Sequence, residues 1–350
     1  MTVTAPAGAP TRPDRAPAPV RDRLDRPLRD LRISVTDRCN FRCPYCMPRS
    51  HYGSGHRFLP AAEQLTAAEI ARLVAVFASL GVTKVRLTGG EPLLRPDLVE
   101  IVQRLSELGL EDLALTTNGA LLHRHANALA RAGLHRVTVS LDSIDPAVFA
   151  AMSDSRVSLD SVLQGIEAAG DAGLRPVKLN CVVQRGSNRE SILELVDWAR
   201  SHECQLRFIE YMDVGTSNGW RREDVVTADE ILEAVGRVHP LLEVDREPNA
   251  VARRYRFADG RGTLGIVASV SRPFCGDCSR ARLGSDGRLY TCLFAATGID
   301  LRTPLRDGAG DDELRKLVGR RWERRTDRYS EIRASLSIPL RHVEMSYIGG

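Results

Sequence analysis

From Leu31 onward, short runs rich in β-branched and aliphatic residues alternate with longer stretches in which apolar positions recur every three or four residues. Period two puts every second side chain on one face of a strand, whereas a period near 3.6 gives a helix one apolar stripe. The chain thus reads as a succession of βα units, the pattern of a parallel sheet. Strands are predicted at 31–36 (LRISVT), 84–88 (KVRLT), 112–117 (DLALTT), 136–143 (RVTVSLDS), 176–183 (PVKLNCVV) and 205–212 (QLRFIEYM). A helix opening on a Thr66-x-x-Glu69 capping box carries Ile70, Leu73, Val74, Phe77 and Leu80 on one face and ends at Gly81. Further helices are predicted over 97–108, 121–132, 158–172 and 189–202.

Six strands are too few for a complete eight-fold barrel, and the first turn carries no dinucleotide fingerprint. The expected fold class is α/β, an incomplete (β/α)6 TIM-like barrel with a C-terminal α+β lobe; an open doubly wound sheet satisfies the same periodicity. In such a barrel the chemistry gathers at the C-terminal strand ends. The polar signals fall there: cysteines after strand one, TGGEP after strand two, TTNG after strand three, SLDS after strand four and EYM after strand six. Beyond Asp213 the rhythm fails, leaving a helix near 227–236 with a Thr227-x-x-Glu230 box and β-like segments at 252–259 and 263–270. The expected division is a disordered tail over 1–28, a partial barrel over 29–225 and a lobe over 226–350 docked near the barrel mouth.

Composition narrows the function. Hydrophobic residues make up 43% of the 350, but Arg, Asp or Gly interrupts every apolar run before membrane-spanning length, and the Pro/Ala/Arg-rich start has no signal-peptide core. A cytoplasmic protein without membrane contact is expected. With 49 Lys+Arg against 45 Asp+Glu, the net charge of +4 gives no argument for nucleic-acid binding, and any anion site must be built locally. The lysines are Lys84, Lys178 and Lys316 alone.

Six of the eight cysteines fall into two groups, while Cys181 and Cys204 fit an apolar strand and a helix end. Cys39-x3-Cys43-x2-Cys46 supplies three soft thiolates from one loop. A four-iron cube held by three Cys leaves one iron open to an exogenous molecule, whereas structural zinc wants a closed set of four. Zinc remains an alternative, with His51 or His56 completing the shell. The second group, Cys275-x2-Cys278 and then Cys292, repeats the logic, and Asp277 is near enough to complete a zinc shell there.

The first trio, with Tyr45 before its last Cys, resembles the signature of the radical S-adenosylmethionine (SAM) superfamily, and Gly89-Gly90-Glu91-Pro92 looks like that superfamily's GGEP motif. The second trio resembles the GTP 3′,8-cyclase family within it, and the likeness runs from Leu31 to Gly349-Gly350. The resemblance implies two [4Fe-4S] clusters on Cys39, Cys43, Cys46 and on Cys275, Cys278, Cys292, with SAM contacted by Tyr45, Gly90, Ser140 and Met212. It implies a lyase that converts GTP to (8S)-3′,8-cyclo-7,8-dihydroguanosine 5′-triphosphate in the first step of molybdenum cofactor biosynthesis. An external electron donor, a downstream cyclic pyranopterin monophosphate synthase and a homodimer are the expected partners. GTP contacts implied are Arg32, Arg86, Thr116, Lys178, Arg280, Ala281 and Arg282, with Arg32, Arg280 and Arg282 catalytic. The Gly349-Gly350 tail is expected to reach the catalytic cavity.

Physically, Arg32, Arg86 and Lys178 are charges inside apolar β runs, costly unless paired with a ligand or in an internal salt bridge. No phosphate-binding G-x-x-x-x-G-K-[ST] loop is present, so scattered side chains must hold a triphosphate. Arg280 and Arg282 share one side if extended; alone they read as a solvated edge. Gly260 to Gly265 reads G-x-G-x-x-G, but β-like segments on both sides argue against a dinucleotide site. The run RRWERR (320–325) with Arg328 reads as a solvated helix face. A radical enzyme acting on a peptide or another nucleotide, and a zinc-stabilised Arg-rich binding module, are the competing readings.

Overall fold

Alternation along the strands sorts the side chains into two environments. In the computed structural model, which describes residues 18–246, 250–333 and 342–349, the six predicted strands become β1 (Asp30–Ser34), β2 (Lys84–Thr88), β3 (Asp112–Thr117), β4 (Arg136–Ser140), β5 (Lys178–Val183) and β6 (Gln205–Glu210). Each runs parallel to the next. Leu31, Ile33, Val85, Leu87, Leu113, Leu115, Val137, Val139, Leu179 and Phe208 are buried in the core that the strands share with the helices. Those helices are Ala67–Ser79, Leu98–Ser106, Leu122–Arg131, Leu159–Asp171 and Ile192–Ser201. At about 1.5–3 kcal/mol per fully buried aliphatic or aromatic side chain, this outer layer dominates the stabilisation. The residues between, including Arg32, Arg86, Thr116, Ser140, Lys178 and Asn180, face a central cavity.

The sheet continues through β7 (Leu241–Val244), β8 (Arg253–Phe257), β9 (Thr263–Val267), β10 (Arg280–Leu283), β11 (Arg288–Tyr290) and β12 (Ile299–Asp300). Its order is β12-β11-β10-β1-β2-β3-β4-β5-β6-β9-β8-β7. β9 runs parallel to β6 and β10 parallel to β1. The C-terminal region therefore extends both edges of the barrel sheet, where docking at the mouth was expected. An edge strand presents unpaired N–H and C=O groups, and β9 and β10 satisfy those of β6 and β1. The sheet does not close: β9 and β10 are not neighbours, so the barrel is incomplete. The glycine-rich run 260–265 joins antiparallel β8 and β9, with Gly260 and Gly262 at positive φ, a hairpin connection with no phosphate-binding helix behind it.

Three local features differ from expectation. An additional helix, Pro146–Ser153, is capped by Asp145, whose carboxylate accepts from the Ala147 and Val148 amides. Its mostly apolar sequence hides the helical period, and the Asp-Pro start is the signal available. The expected tail is packed from Val20, whose amide donates to the Leu80 carbonyl at 3.0 Å, and Asp22, Arg26 and Leu28 are buried; residues 1–17 lie outside the described set. The RRWERR run is not a solvated face throughout. Trp322 and Arg325 are buried, with the Trp322 indole donating to the Arg26 carbonyl, while Arg320 and Arg324 are exposed. Cys181 and Cys204 are buried as expected. Among the described residues no helix is long and apolar enough to cross a membrane.

The Thr66 box forms reciprocally: its hydroxyl accepts from the Glu69 amide and the Glu69 carboxylate accepts from the Thr66 amide. Thr66→Ala removes a cap worth about 1 kcal/mol, so the urea midpoint should fall accordingly while Thr66→Ser stays near wild type. Equal midpoints for all three proteins would show that the cap contributes nothing.

Candidate functional site

One cavity of about 700 Å³ occupies the inner side of the sheet, and both cysteine trios line it. The first trio sits on the loop after β1. The Cys46 and Met47 amides donate to the Cys43 carbonyl, and the Arg42 guanidinium ties the loop together through the carbonyls of Cys39, Phe41 and Tyr52. The two glycines after β2 lock onto the start of this loop. A Cβ at Gly89 would lie 2.4 Å from the Thr36 carbonyl oxygen and one at Gly90 2.3 Å from that of Arg38. Without side chains, the Gly90 amide donates to Thr36 and the Glu91 amide to Arg38, each at 2.7 Å.

Glu91 is buried and braces the next loop. Its carboxylate accepts from the Leu93 amide, the Thr117 hydroxyl and the Asn118 amide. Burial raises its pKa to about 7 against the opposing effect of those three donors. Asn118 reaches back to Asn40 at 2.7 Å and lies 3.9 Å from the Cys39 sulfur. Three successive strand-end loops are thereby fixed to one another.

Tyr45 donates to Asp142 at 2.6 Å, and Asp142 also accepts from the Val182 amide. Burial lifts the Asp142 carboxyl to about 6. Gly90, Ser140 and Met212 line the same cavity as Tyr45 and the first trio. Burial raises the thiols of Cys39 (to about 11), Cys43 and Cys46, so thiolates there call for a positive centre.

Cys275 and Cys278 flank a short turn before β10, and Cys292 follows β11. Burial alone would raise Cys278, but Arg280 and Arg325 outweigh it and lower the thiol to about 6. Arg280 donates to the Cys278 sulfur at 3.4 Å and lies over the Phe274 ring. Asp277 pairs instead with Arg246 at 2.9 Å and does not line the cavity. Among the described residues, no three His, Cys, Asp or Glu side chains are gathered to hold a single ion. The donor set itself, three soft thiols per loop system facing one cavity, suits a thiolate-bound cluster.

Between the trios lies a row of cations. Register places Arg282 on β10, Arg32 on β1 and Arg86 on β2 side by side. Burial lowers the pKa of Arg32, with repulsion from Arg282, Arg280 and Arg86, and that of Arg282, with repulsion from Arg280; burial with repulsion from Arg136 and Arg207 lowers that of Arg86. Guanidinium remains charged near neutrality, so the shifts express unpaired positive charge in a low-dielectric space. Arg86 donates to Thr116 at 2.9 Å and to Thr138 at 3.0 Å. Lys178 is depressed to about 7 by burial, with repulsion from Arg207, Arg136 and Arg86. Internal salt bridges, the alternative reading of these charges, do not form at Arg32, Arg86 or Lys178 among the described residues. Arg282 donates to the Gly349 carbonyl, and a Cβ on Gly349 would meet Thr88 at 2.3 Å, so the tail enters the cavity end of β1 and β2; Gly350 lies outside the described residues.

Ala281 is paired with Leu31 and its side chain is fully buried in the helix-facing core, so of the three residues 280–282 it alone does not line the cavity. Period two makes this unavoidable for a residue between two inward arginines. Sequence reasoning passed over Arg207, Asn118, Asn180 and Asp142, all of which line the cavity. Their signal was present: each lies on an inward strand position or in a strand-end loop, within runs already assigned.

Residues 33–199 match the Radical SAM superfamily and residues 204–331 the Molybdenum Cofactor Synthesis C family. The chain is 51% identical over 359 residues to a GTP 3′,8-cyclase of Acidothermus cellulolyticus, covering 95% of this chain and 99% of the relative. It is 52% identical over 340 residues to a GTP 3′,8-cyclase of Xanthomonas campestris pv. campestris, covering 97% and 99%. In fold it is similar to Streptococcus suis SuiB bound to S-adenosylmethionine, with a TM-score of 0.58 at 16% identity over 83% of this chain and 68% of that one.

Glu91 generates a pH prediction. Its folded pKa lies above its unfolded one, so its contribution to stability is present on the acid side and is lost as pH rises from the ordinary carboxyl range through about 7. Glu91→Gln lacks this contribution. The stability difference, wild type minus variant, should fall across that interval in urea titrations, and a constant difference would contradict the burial effect.

Proposed function

Because this chain belongs to the GTP 3′,8-cyclase family of the radical SAM superfamily, we propose that the cavity lined by both cysteine trios takes SAM beside one trio and GTP beside the other. The protein is a SAM-dependent lyase that converts GTP to (8S)-3′,8-cyclo-7,8-dihydroguanosine 5′-triphosphate in the first step of molybdenum cofactor biosynthesis. Its cofactors are SAM and two [4Fe-4S] clusters. The observation that carries the two-site reading is that both thiol trios face one cavity with cations between them. Family membership also replaces the reading as a zinc-stabilised binding module.

Cys39, Cys43 and Cys46 hold the first cluster, and Cys275, Cys278 and Cys292 the second. When bound, the first cluster and SAM supply a 5′-deoxyadenosyl radical for hydrogen abstraction. Tyr45, Gly90, Ser140 and Met212 position SAM, with Gly90 keeping its backbone edge open to it. Arg86 and Lys178 bind the triphosphate, whose charge offsets the repulsion among the inward cations. Thr116, held by Arg86, adds a hydroxyl. Arg32, Arg280 and Arg282 act at the reacting nucleoside, with Arg282 held in place by the Gly349 carbonyl. Ala281, its side chain turned to the core, meets GTP through its main chain.

Residues 29–225 form the radical SAM partial barrel and 226–350 the lobe that carries the second cluster and the glycine tail. An external electron donor, a cytoplasmic setting, a homodimer and a downstream enzyme making cyclic pyranopterin monophosphate complete the reading.

Anaerobic reconstitution should give about eight irons per chain with matching sulfide. Incubation with dithionite, SAM and GTP should then yield 5′-deoxyadenosine that depends on GTP; stoichiometric zinc without sulfide, or 5′-deoxyadenosine promoted by another substrate and not by GTP, would overturn the assignment. Arg282→Ala should lower kcat/KM by at least about tenfold, as expected for one charged hydrogen bond of about 1.5–3 kcal/mol, with iron content unchanged. Loss of iron from that variant would show the residue to be structural.

A further inference from the structure

The segment from Val20 to Leu28 folds into a tight hairpin: the Leu28 amide donates to the Val20 carbonyl and the Asp22 amide to the Arg26 carbonyl. At its centre the Asp22 carboxylate is fully buried. One oxygen accepts from the Leu24 and Arg26 amides; the other accepts from Arg26 Nε at 2.6 Å and Arg325 Nη1 at 3.3 Å. The two guanidiniums so gathered each reach the second trio. Arg26 Nη1 donates to the Cys275 carbonyl at 2.8 Å and to the Asp327 carbonyl at 2.8 Å. Arg325 Nη1 donates to the Cys278 carbonyl at 2.6 Å. The Asp327 carboxylate accepts at 2.6 Å from Thr291, the residue before Cys292. One buried acid thus organises contacts to the backbone at Cys275 and Cys278 and, one step on, beside Cys292.

We infer that Asp22 is a positioning residue for the second cluster, and that the N-terminal hairpin is part of that cluster's cradle. The inference rests on the assignment of a cluster to Cys275, Cys278 and Cys292. One carboxylate fixes both buried guanidiniums at once: without it Arg26 loses its carboxylate partner among the described residues, and Arg325 keeps only Asp327, 3.4 Å away. Neutralising it loosens the grip of both arginines on the cysteine carbonyls while the first trio, held by Arg42, the two glycines and Asn118, keeps its own supports.

The test is Asp22→Asn with two readouts. In cluster-free protein under native conditions, timed iodoacetamide labelling read by mass spectrometry should show faster modification of Cys275 and Cys278 relative to wild type, with Cys39, Cys43 and Cys46 unchanged. The buried Cys181 and Cys204 report global unfolding. After reconstitution, the variant should retain about four irons against about eight in wild type. Arg26→Lys keeps the charge on Asp22 but not the fork to two carbonyls, and should expose Cys275 more than Cys278. Unchanged labelling at Cys275 and Cys278, equal loss from both trios, or a parallel rise at Cys181 and Cys204 in both variants would overturn the inference. Wild-type protein holding only about four irons would count against the second-cluster assignment instead, and the labelling would still read the hairpin's grip.

Discussion

Like charges on the inner face of an open sheet are the constraint around which this molecule is arranged. Arg282, Arg32 and Arg86 occupy adjacent positions on β10, β1 and β2, with Lys178 and Arg207 further round the same face. Such a row repels itself and loses hydration, and the helix-facing core on the other side of the same strands has to offset that cost. Asp30 and Asp112 in the same cavity oppose part of that repulsion, and the tail presents a carbonyl to Arg282. A polyanionic substrate then meets a cavity whose charge is already in place, so little reorganisation is left for the moment of binding.

The two thiol trios face this cavity with different supports. The first is held by backbone: glycines without Cβ atoms let one loop lie directly on another, and Glu91 and Asn118 tie in a third. The second is held by side chains from distant parts of the chain, chiefly guanidiniums; Arg280 and Arg325 lower its Cys278 thiol, while burial raises its Cys292 thiol as it does those of the first trio.

Much of this was legible beforehand. The strand limits at Lys84–Thr88 and Asp112–Thr117 coincide with the runs read from periodicity, and the capping boxes at Thr66 and Thr227 form as their spacing implies. Arg325 was misread because helical charge runs are usually solvated, and nothing local distinguishes it from Arg324; its partner, Asp22, is 303 residues away. The loose look of residues 18–28 failed for the same reason, since Pro and Arg content describes a segment's isolated tendency and not the buried acid it shares with a distant helix end.

What the sequence by itself determined is whatever depends on neighbours along the chain: the period-two and period-3.6 patterns, the caps, the cysteine spacings and the inward sense of Arg32, Arg86 and Lys178. Only the tertiary structure decided which strands cover the edges of β1 and β6, that Arg282 meets the Gly349 carbonyl 67 residues on, and that Asp277 turns to Arg246. Local geometry follows from backbone sterics and spacing, which one segment carries alone. Edge pairing and the burial of charge are settled by competition among all segments at once, and no single stretch of residues encodes the outcome.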